Sequence, residues 1–420
     1  MKYKISGGKP LEGTLFIQGA KNAVLPMIAA SLLAEKGQTV LRNVPPLNDV
    51  YVSIELAKSV GAKIKYFKNE KILVIDASSI KNFNLDSSLT TKSRASILFL
   101  PAVLHRLGKV EFHGVGGCCL GVRRLDFHHN GFKRLGARVE GYHDQLIIEA
   151  NRLKGNLVYL DIPSQTSTEN LMMAACLAEE TTIIENAASE PEVVDFANFL
   201  TKMGAIIHGA GTKTIFVQGV KRLKAAEHSV MADRLDVSAF MMGAAISKGD
   251  VTFIGVNLEH MRLLKVKLEQ MGAIIESDGK IVRVKGTKKK LKPVNVVICP
   301  YPGFSADFLP GIMALTTIAE GTSYLREDIF EDRFSQVDGL NSLGAAITKK
   351  GNLAQVDGVE ELRGGCVTAP DLRAGMSFVL AALSAQGITT IKNIYQIERG
   401  HSDVDTRLQN LGADISRINN

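Results

Sequence analysis

A chain of 420 residues, 45% of them hydrophobic, exceeds the size at which one core stops growing and implies two or three domains. Its net charge of +7, from 50 basic and 43 acidic residues, suits an anionic ligand but makes no case for nucleic acid. The longest apolar runs, such as Leu171–Ala178, fall short of the roughly 20 residues that cross a bilayer, and the N-terminus MKYKISGGKP lacks the apolar stretch of a signal peptide, so a cytoplasmic protein that needs no membrane is expected.

From the N-terminus, Lys4–Gln18 reads as a strand with no helix before it, able to complete the last unit of the chain. An amphipathic stretch then ends at Val60-Gly61-Ala62, and the same ending recurs at Leu135-Gly136-Ala137, Met203-Gly204-Ala205, Met271-Gly272-Ala273, Leu343-Gly344-Ala345 and Leu411-Gly412-Ala413. The intervals between the glycines are 75, 68, 68, 72 and 68 residues, a six-fold internal repeat. Each glycine follows an amphipathic helix, such as Val194–Met203 or Leu258–Met271, where a left-handed residue ends the helix. A hairpin follows: Ala205-Ile206-Ile207, a turn, then Thr214–Val217. Upstream of each amphipathic helix lies a more apolar one, for example Leu171–Glu179 before the strand Thr182-Ile183-Ile184, or Met376–Ala385 before Thr389-Thr390-Ile391. A helix apolar on most faces belongs inside, with the amphipathic one outside. Each unit is therefore strand, inner helix, strand, outer helix, strand, strand. Six such units divide into two domains, the boundary expected at residues 225–232: 22–229 carrying three repeats, and 1–21 plus 230–420 carrying three more.

The starts of the inner helices carry Lys21-Asn22, Arg94, Ser167-Thr168, Asp233-Arg234, Asp307, and Asp371 with Arg373. Asp, Ser and Thr there serve as N-caps, the reading kept for Ser167, Thr168 and Asp233. A cation at a helix start opposes the dipole unless an anion is present, so Lys21, Arg94 and Arg373 suggest a trap for phosphate or carboxylate. Between the second pair of helices, Gly116-Gly117-Cys118-Cys119-Leu120-Gly121-Val122-Arg123-Arg124 is a glycine-rich loop whose arginines would lower the pKa of a nearby thiol. The loop reads as a reactive lid, but taken alone its two cysteines read more readily as small packing residues than as reactive ones. Cys176, Cys299 and Cys366 fall in apolar patterns and are expected to pack. Five cysteines, two of them adjacent, offer neither a disulfide framework nor metal-ligand spacing, and a reducing compartment without a metal site is expected. His105, His128 and His129 lie on helical stretches and are expected to cap or pack. Lys288-Lys289-Lys290 reads as a surface turn.

Gly19-Ala20-Lys21-Asn22-Ala23, Arg94-Ala95-Ser96, Gly116-Gly117-Cys118, Gly121-Val122-Arg123, Glu185-Asn186-Ala187-Ala188, Asp371-Leu372-Arg373-Ala374 and Glu398-Arg399-Gly400 together resemble the enolpyruvyl transferase family, in the branch that opens bacterial peptidoglycan synthesis. The resemblance spans essentially the whole chain. It implies a two-domain, inside-out α/β barrel of six βαβαββ units with the active site in the interdomain cleft. The reaction it implies transfers enolpyruvyl from phosphoenolpyruvate to the 3-hydroxyl of UDP-N-acetylglucosamine, with no metal and no organic cofactor.

On these residues the resemblance implies that Lys21, Asn22, Arg123, Arg373 and Arg399 hold phosphoenolpyruvate, a charge-matched cage. It makes Cys118 the proton donor to C3, able also to form an adduct at C2 and to be alkylated by the epoxide fosfomycin. Asp307 becomes a candidate base beside the acceptor hydroxyl, with Lys21 and Arg399 also in the catalytic set. Arg94, Arg123, Arg124, Leu125, Asp126, Phe127, Ser164, Asp307 and Ile329 fall where the nucleotide sugar binds, and Arg333 and Asp371 support the cage. The chain departs from the family pattern on the acceptor side: Arg124 replaces a usual proline, Ile162 a lysine, Gln165-Thr166-Ser167 a Val-Gly-Ala, Ser305-Ala306-Asp307-Phe308 a Pro-Thr-Asp-Met, and Pro370 a threonine. A paralogue acting on another nucleotide or nucleotide sugar, or a silent anion-binding scaffold, remains an alternative. The branch making 5-enolpyruvylshikimate 3-phosphate is disfavoured by the cysteine loop.

Overall fold

The computed structural model describes residues 1–114, 116, 125–141 and 145–419. Cys118, Cys119, Arg123 and Arg124 lie outside the described residues. The chain divides into two compact units: Met1–Gln18 with Ala232–Asn420 form one, and the described residues from Gly19 to Met231 form the other. Each has its own apolar core.

The repeat unit is clearest between residues 157 and 218. Leu157–Tyr159 leads through the helix Gln165–Ala175 to Thr181–Glu185, and then the helix Pro191–Met203 leads to the hairpin Ile206–His208 and Thr214–Gln218. The first two strands pair in parallel and the rest antiparallel, so one repeat makes one mixed sheet. Among the described residues six sheets result, three in each unit. The sheet of Lys109–His113, Gln145–Glu149 and Arg138–Glu140 has three strands, with a single parallel bridge, Asn84 to Glu111, where the others carry a fourth.

All six outer helices end the same way. Gly61, Gly136, Gly204, Gly272, Gly344 and Gly412 have φ between +85° and +117°. In each case the glycine N–H bonds the carbonyl three residues back and the following alanine N–H reaches five back, as in Gly204 to Thr201 (2.9 Å) and Ala205 to Leu200 (3.0 Å). This double bond satisfies carbonyls that the helix leaves unpaired. Gly204→Ala adds a Cβ that meets nothing within 4 Å, whereas at Gly61 it would lie 2.3 Å from the Ser79 carbonyl oxygen. Gly204→Ala should therefore cost about 1–2 kcal/mol of left-handed strain, and Gly61→Ala clearly more, as read from denaturation midpoints. Equal costs would contradict this reading of the two ends.

The inner helices are α1 (Lys21–Ala30), α2 (Phe99–Leu107), α3 (Gln165–Ala175), α4 (Arg234–Ile246), α5 (Leu309–Thr316) and α6 (Leu372–Ser384). Every residue of α4 and α5 is buried, so no face is left for water. α4, α5 and α6 pack on one another, and α2 packs on both α1 and α3. Among the described residues no helix is long and apolar enough to cross a membrane.

Several expectations change. The single N-terminal strand is two: Lys2–Ser6, between Ile388–Lys392 and Asp414–Ile418 in the last repeat, and Glu12–Phe16, parallel to Asp250–Ile254 in the fourth. Gly7 divides them, packed so closely that a Cβ would sit 2.3 Å from the Ala385 carbonyl oxygen. Cys176 is buried, but Cys299 and Cys366 are exposed, contrary to the packing expectation. Their neighbours Ile298 and Val367 take the inward positions, and two-residue alternation turns the cysteines outward. The Asn186 of the Glu185-Asn186-Ala187-Ala188 motif is structural. It is left-handed (φ 54°), and its amide donates to the Leu160 carbonyl at 2.7 Å, as Asn43 does to Val230 and Asn393 to Ala369.

Candidate functional site

In the unit containing the C-terminus, Asp371 caps α6 by accepting from the backbone N–H of Arg373 (2.8 Å) and Ala374 (3.1 Å), and its other oxygen accepts from Ser335 Oγ at 2.9 Å. This fixes the first turn that carries Arg373. Asp307 lies in the short 3-10 turn Ala306–Phe308 before α5, where Ser305 Oγ accepts from its backbone N–H. Its carboxylate oxygen Oδ1 accepts from Arg333 and from Nε of Arg373 (3.2 Å). Arg333, 2% exposed, also donates from Nε to the Ala306 carbonyl at 3.0 Å. The predicted Asp307, Arg333, Arg373 and Asp371 thus converge, and a crevice lined by Met242, Asp307, Gly311, Arg373, Ser377 and His401 opens beside them. Arg399 is buried at the end of the short helix Tyr395–Glu398 and donates to Gln396 Oε1 at 3.2 Å. Ile329 is exposed, its backbone N–H held by Glu327 Oε1 at 2.6 Å.

Behind this cluster runs a buried polar chain that the sequence reading missed. His401 Nδ1 lies 2.8 Å from Asp236 Oδ1, Arg373 Nη1 lies 3.1 Å from His401 Nε2, and Arg407 grips both oxygens of Asp236 at 2.9 and 2.6 Å. The Arg407 guanidinium also stacks 4.1 Å from the Phe240 ring centroid. Burial alone would raise the Asp236 carboxyl, but Arg407 and His401 outweigh it and hold it well below the usual range. One signal was present: an acidic residue inside a helix buried on every face demands a partner.

In the other unit, Lys21 opens α1, where Ala20 offers no side-chain cap, and its Nζ lies 3.2 Å from Asp49 Oδ2. Both are buried, so a protein carboxylate already balances the cation at this helix start. Asn22 follows, half-buried. Arg94 opens the 3-10 turn Arg94–Leu98 ahead of α2. The cap of α3 is Ser164, whose Oγ accepts from the Ser167 N–H at 3.4 Å and donates to Ser167 Oγ at 2.9 Å. Neither Ser167 nor Thr168 caps the helix: Thr168 Oγ1 accepts from the Ala188 N–H at 3.0 Å. Asp233 does cap α4, accepting from Leu235 and Asp236. Leu125 is buried, while Asp126 and Phe127 are half-exposed at the start of the helix Asp126–Arg134.

His128 lies behind these residues, fully enclosed. Asn170 Nδ2 donates to its Nδ1 at 3.0 Å while also donating to the Ile97 carbonyl, and Ser167 Oγ lies 3.4 Å from its Nε2. Burial, with the Arg94 charge added, pushes its pKa down to about 3. Nearby, burial holds the Glu169 carboxyl well above its usual range, and Gln165 donates to it at 3.0 Å. The His128 shift carries a sign. The unfolded chain gains a proton below the ordinary value of 6.5 that the folded chain refuses, so stability falls as pH drops from 6.5 toward 3. At about pH 5 the loss from this residue is about 2 kcal/mol. Urea midpoints at pH 7 and pH 5 check this, with His128→Gln flattening the difference; an identical pH slope in the variant would contradict it.

The chain's residues 5–408 match the family model of EPSP synthase (3-phosphoshikimate 1-carboxyvinyltransferase). It is 50% identical over 423 aligned positions to the UDP-N-acetylglucosamine 1-carboxyvinyltransferase of Thermobifida fusca, covering 99% of this chain and 98% of that one. It is 44% identical to UDP-N-acetylglucosamine 1-carboxyvinyltransferase 1 of Caldanaerobacter subterraneus subsp. tengcongensis, covering 99% of each. Its fold matches the crystal structure of the enolpyruvyl transferase NikO from Streptomyces tendae with a TM-score of 0.88 at 23% identity, over 99% of this chain and 98% of that one. EPSP synthase from Acinetobacter baumannii matches with a TM-score of 0.77 at 20% identity, over 99% and 100%. The two-unit, six-repeat α/β architecture is thus that of the enolpyruvyl transferases, and this chain is a transferase belonging to that family, among relatives named UDP-N-acetylglucosamine 1-carboxyvinyltransferase.

Proposed function

We propose that this protein transfers the enolpyruvyl group of phosphoenolpyruvate to the 3-hydroxyl of UDP-N-acetylglucosamine, releasing phosphate, in the cytoplasm, as the first committed step of peptidoglycan synthesis. The observation that carries this reading is the end-to-end 50% identity with a relative of that name. The Asp307, Arg333 and Arg373 cluster supplies its chemistry.

The reaction needs an acid and a base. Cys118 protonates C3 of phosphoenolpyruvate, which leaves cationic character at C2. The acceptor oxygen attacks C2 as its proton is taken up, with Asp307 the candidate acceptor of that proton. Loss of phosphate from C2 and of a proton from C3 then gives the enolpyruvyl ether. Lys21, Asn22, Arg123, Arg373 and Arg399 hold the phosphate and carboxylate. Arg94, Arg123 to Phe127, Ser164, Asp307 and Ile329 serve the nucleotide sugar.

Phosphate release with phosphoenolpyruvate and a panel of nucleotides and nucleotide sugars tests the acceptor. Release with UDP-N-acetylglucosamine above all others is expected. Release only with a different acceptor would overturn the substrate assignment while keeping the reaction.

A further inference from the structure

We infer that His401 is a positioning residue for Arg373: a neutral imidazole, held in the Nδ1–H form by Asp236, that fixes which edge of the Arg373 guanidinium meets the phosphoenolpyruvate anion. This rests on the phosphoenolpyruvate reading above.

A guanidinium donates and never accepts. With Arg373 Nη1 at 3.1 Å, His401 Nε2 must present its lone pair, which places the ring proton on Nδ1, where it is donated to Asp236 Oδ1 at 2.8 Å. The chain of charges then alternates: Arg407, Asp236, neutral His401, Arg373, Asp307, Arg333. An imidazolium would set an N–H against the Arg373 N–H, two like charges in a site 1% exposed at His401. The groups facing His401 are Asp236 on α4 and Asp233 at its cap, Arg373 on α6, and Arg407, which pairs with Asp236 from the helix Val404–Asn410. Burial favours the neutral ring, and Asp236 favours the charged one less strongly.

The consequence is directional. Asp307 takes Nε of Arg373 and His401 takes Nη1, so the remaining terminal nitrogen, Nη2, has no protein partner among the described residues. A planar guanidinium pinned on two sides presents its third donor in one direction, with little left to order on binding. His401 directly follows the Glu398-Arg399-Gly400 motif, so the same segment carries one predicted phosphoenolpyruvate ligand and orients another.

The test has two arms. In the full chain labelled with 15N-histidine, long-range proton–nitrogen correlation spectra, assigned with His401→Gln, are expected to show a neutral Nδ1–H ring below pH 6.5, the ordinary histidine value. An imidazolium or an Nε2–H ring there would overturn the inference, whatever the enzyme's substrate proves to be. In steady-state kinetics, His401→Phe should raise the KM for phosphoenolpyruvate about tenfold, with the KM for the nucleotide sugar changed by less than about twofold. His401→Gln offers a carbonyl to Arg373 and an amide to Asp236 and should recover most of that loss. Equal losses in both variants, or equal changes for both substrates, would mean that His401 only packs. If His401→Phe does not fold, the spectra of the unsubstituted protein decide. Absence of turnover in the unsubstituted protein would count against the proposed function and leave the spectroscopic arm standing.

Discussion

Arg373→Met is expected to raise the KM for phosphoenolpyruvate about a hundredfold, equivalent to about 2.7 kcal/mol of lost binding. Methionine preserves the apolar stem and removes every donor. Three interactions then go at once: the bond to Asp307, the bond to His401 and the edge offered to the anion. Asp307 keeps Arg333 and so remains paired, which limits the damage to folding. The KM for the nucleotide sugar should move far less, because the charge is lost from the proposed phosphoenolpyruvate cage. A KM for phosphoenolpyruvate within about threefold of the unsubstituted protein would remove Arg373 from the anion cage.

Cys118→Ala should lower kcat by about two to four orders of magnitude, the range for deleting a general acid. Cys119→Ala, one residue along, should keep turnover within about threefold. The pair must be measured together, since adjacent thiols can share a covalent modification. Mass spectrometry of the intact protein after exposure to phosphoenolpyruvate, and separately to fosfomycin, should find an adduct in the unsubstituted and Cys119→Ala proteins and none in Cys118→Ala. An adduct retained in Cys118→Ala, with turnover lost in Cys119→Ala, would transfer the chemistry to Cys119.

What the sequence made legible was local and periodic. Each of the glycines at the outer-helix ends announced itself by what stood before and after it, and all six are left-handed with the same pair of backbone bonds. Lys21, Arg94 and Arg373 were visible because a cation at a helix start opposes the dipole. Their pairings with carboxylates were not visible, because nothing near Lys21 names Asp49, and Asp307, singled out for itself, is 66 residues from Arg373. His401 and Asp236, 165 residues apart, are the extreme case: only the packing of α4 against the C-terminal segment brings them together. Two-residue alternation would have placed Cys299 and Cys366 outside, had it been weighed above the surrounding hydrophobicity. The N-terminal strand looked continuous because its interruption depends on contact with Ala382 and Ala385 far along the chain.

The central claim is tested most directly by mass analysis of the nucleotide product after incubation with phosphoenolpyruvate and UDP-N-acetylglucosamine. The expected result is a nucleotide sugar carrying one enolpyruvyl group, with one phosphate released for each molecule formed. Unchanged UDP-N-acetylglucosamine and no phosphate, from folded protein under conditions where both substrates are saturating, would contradict it.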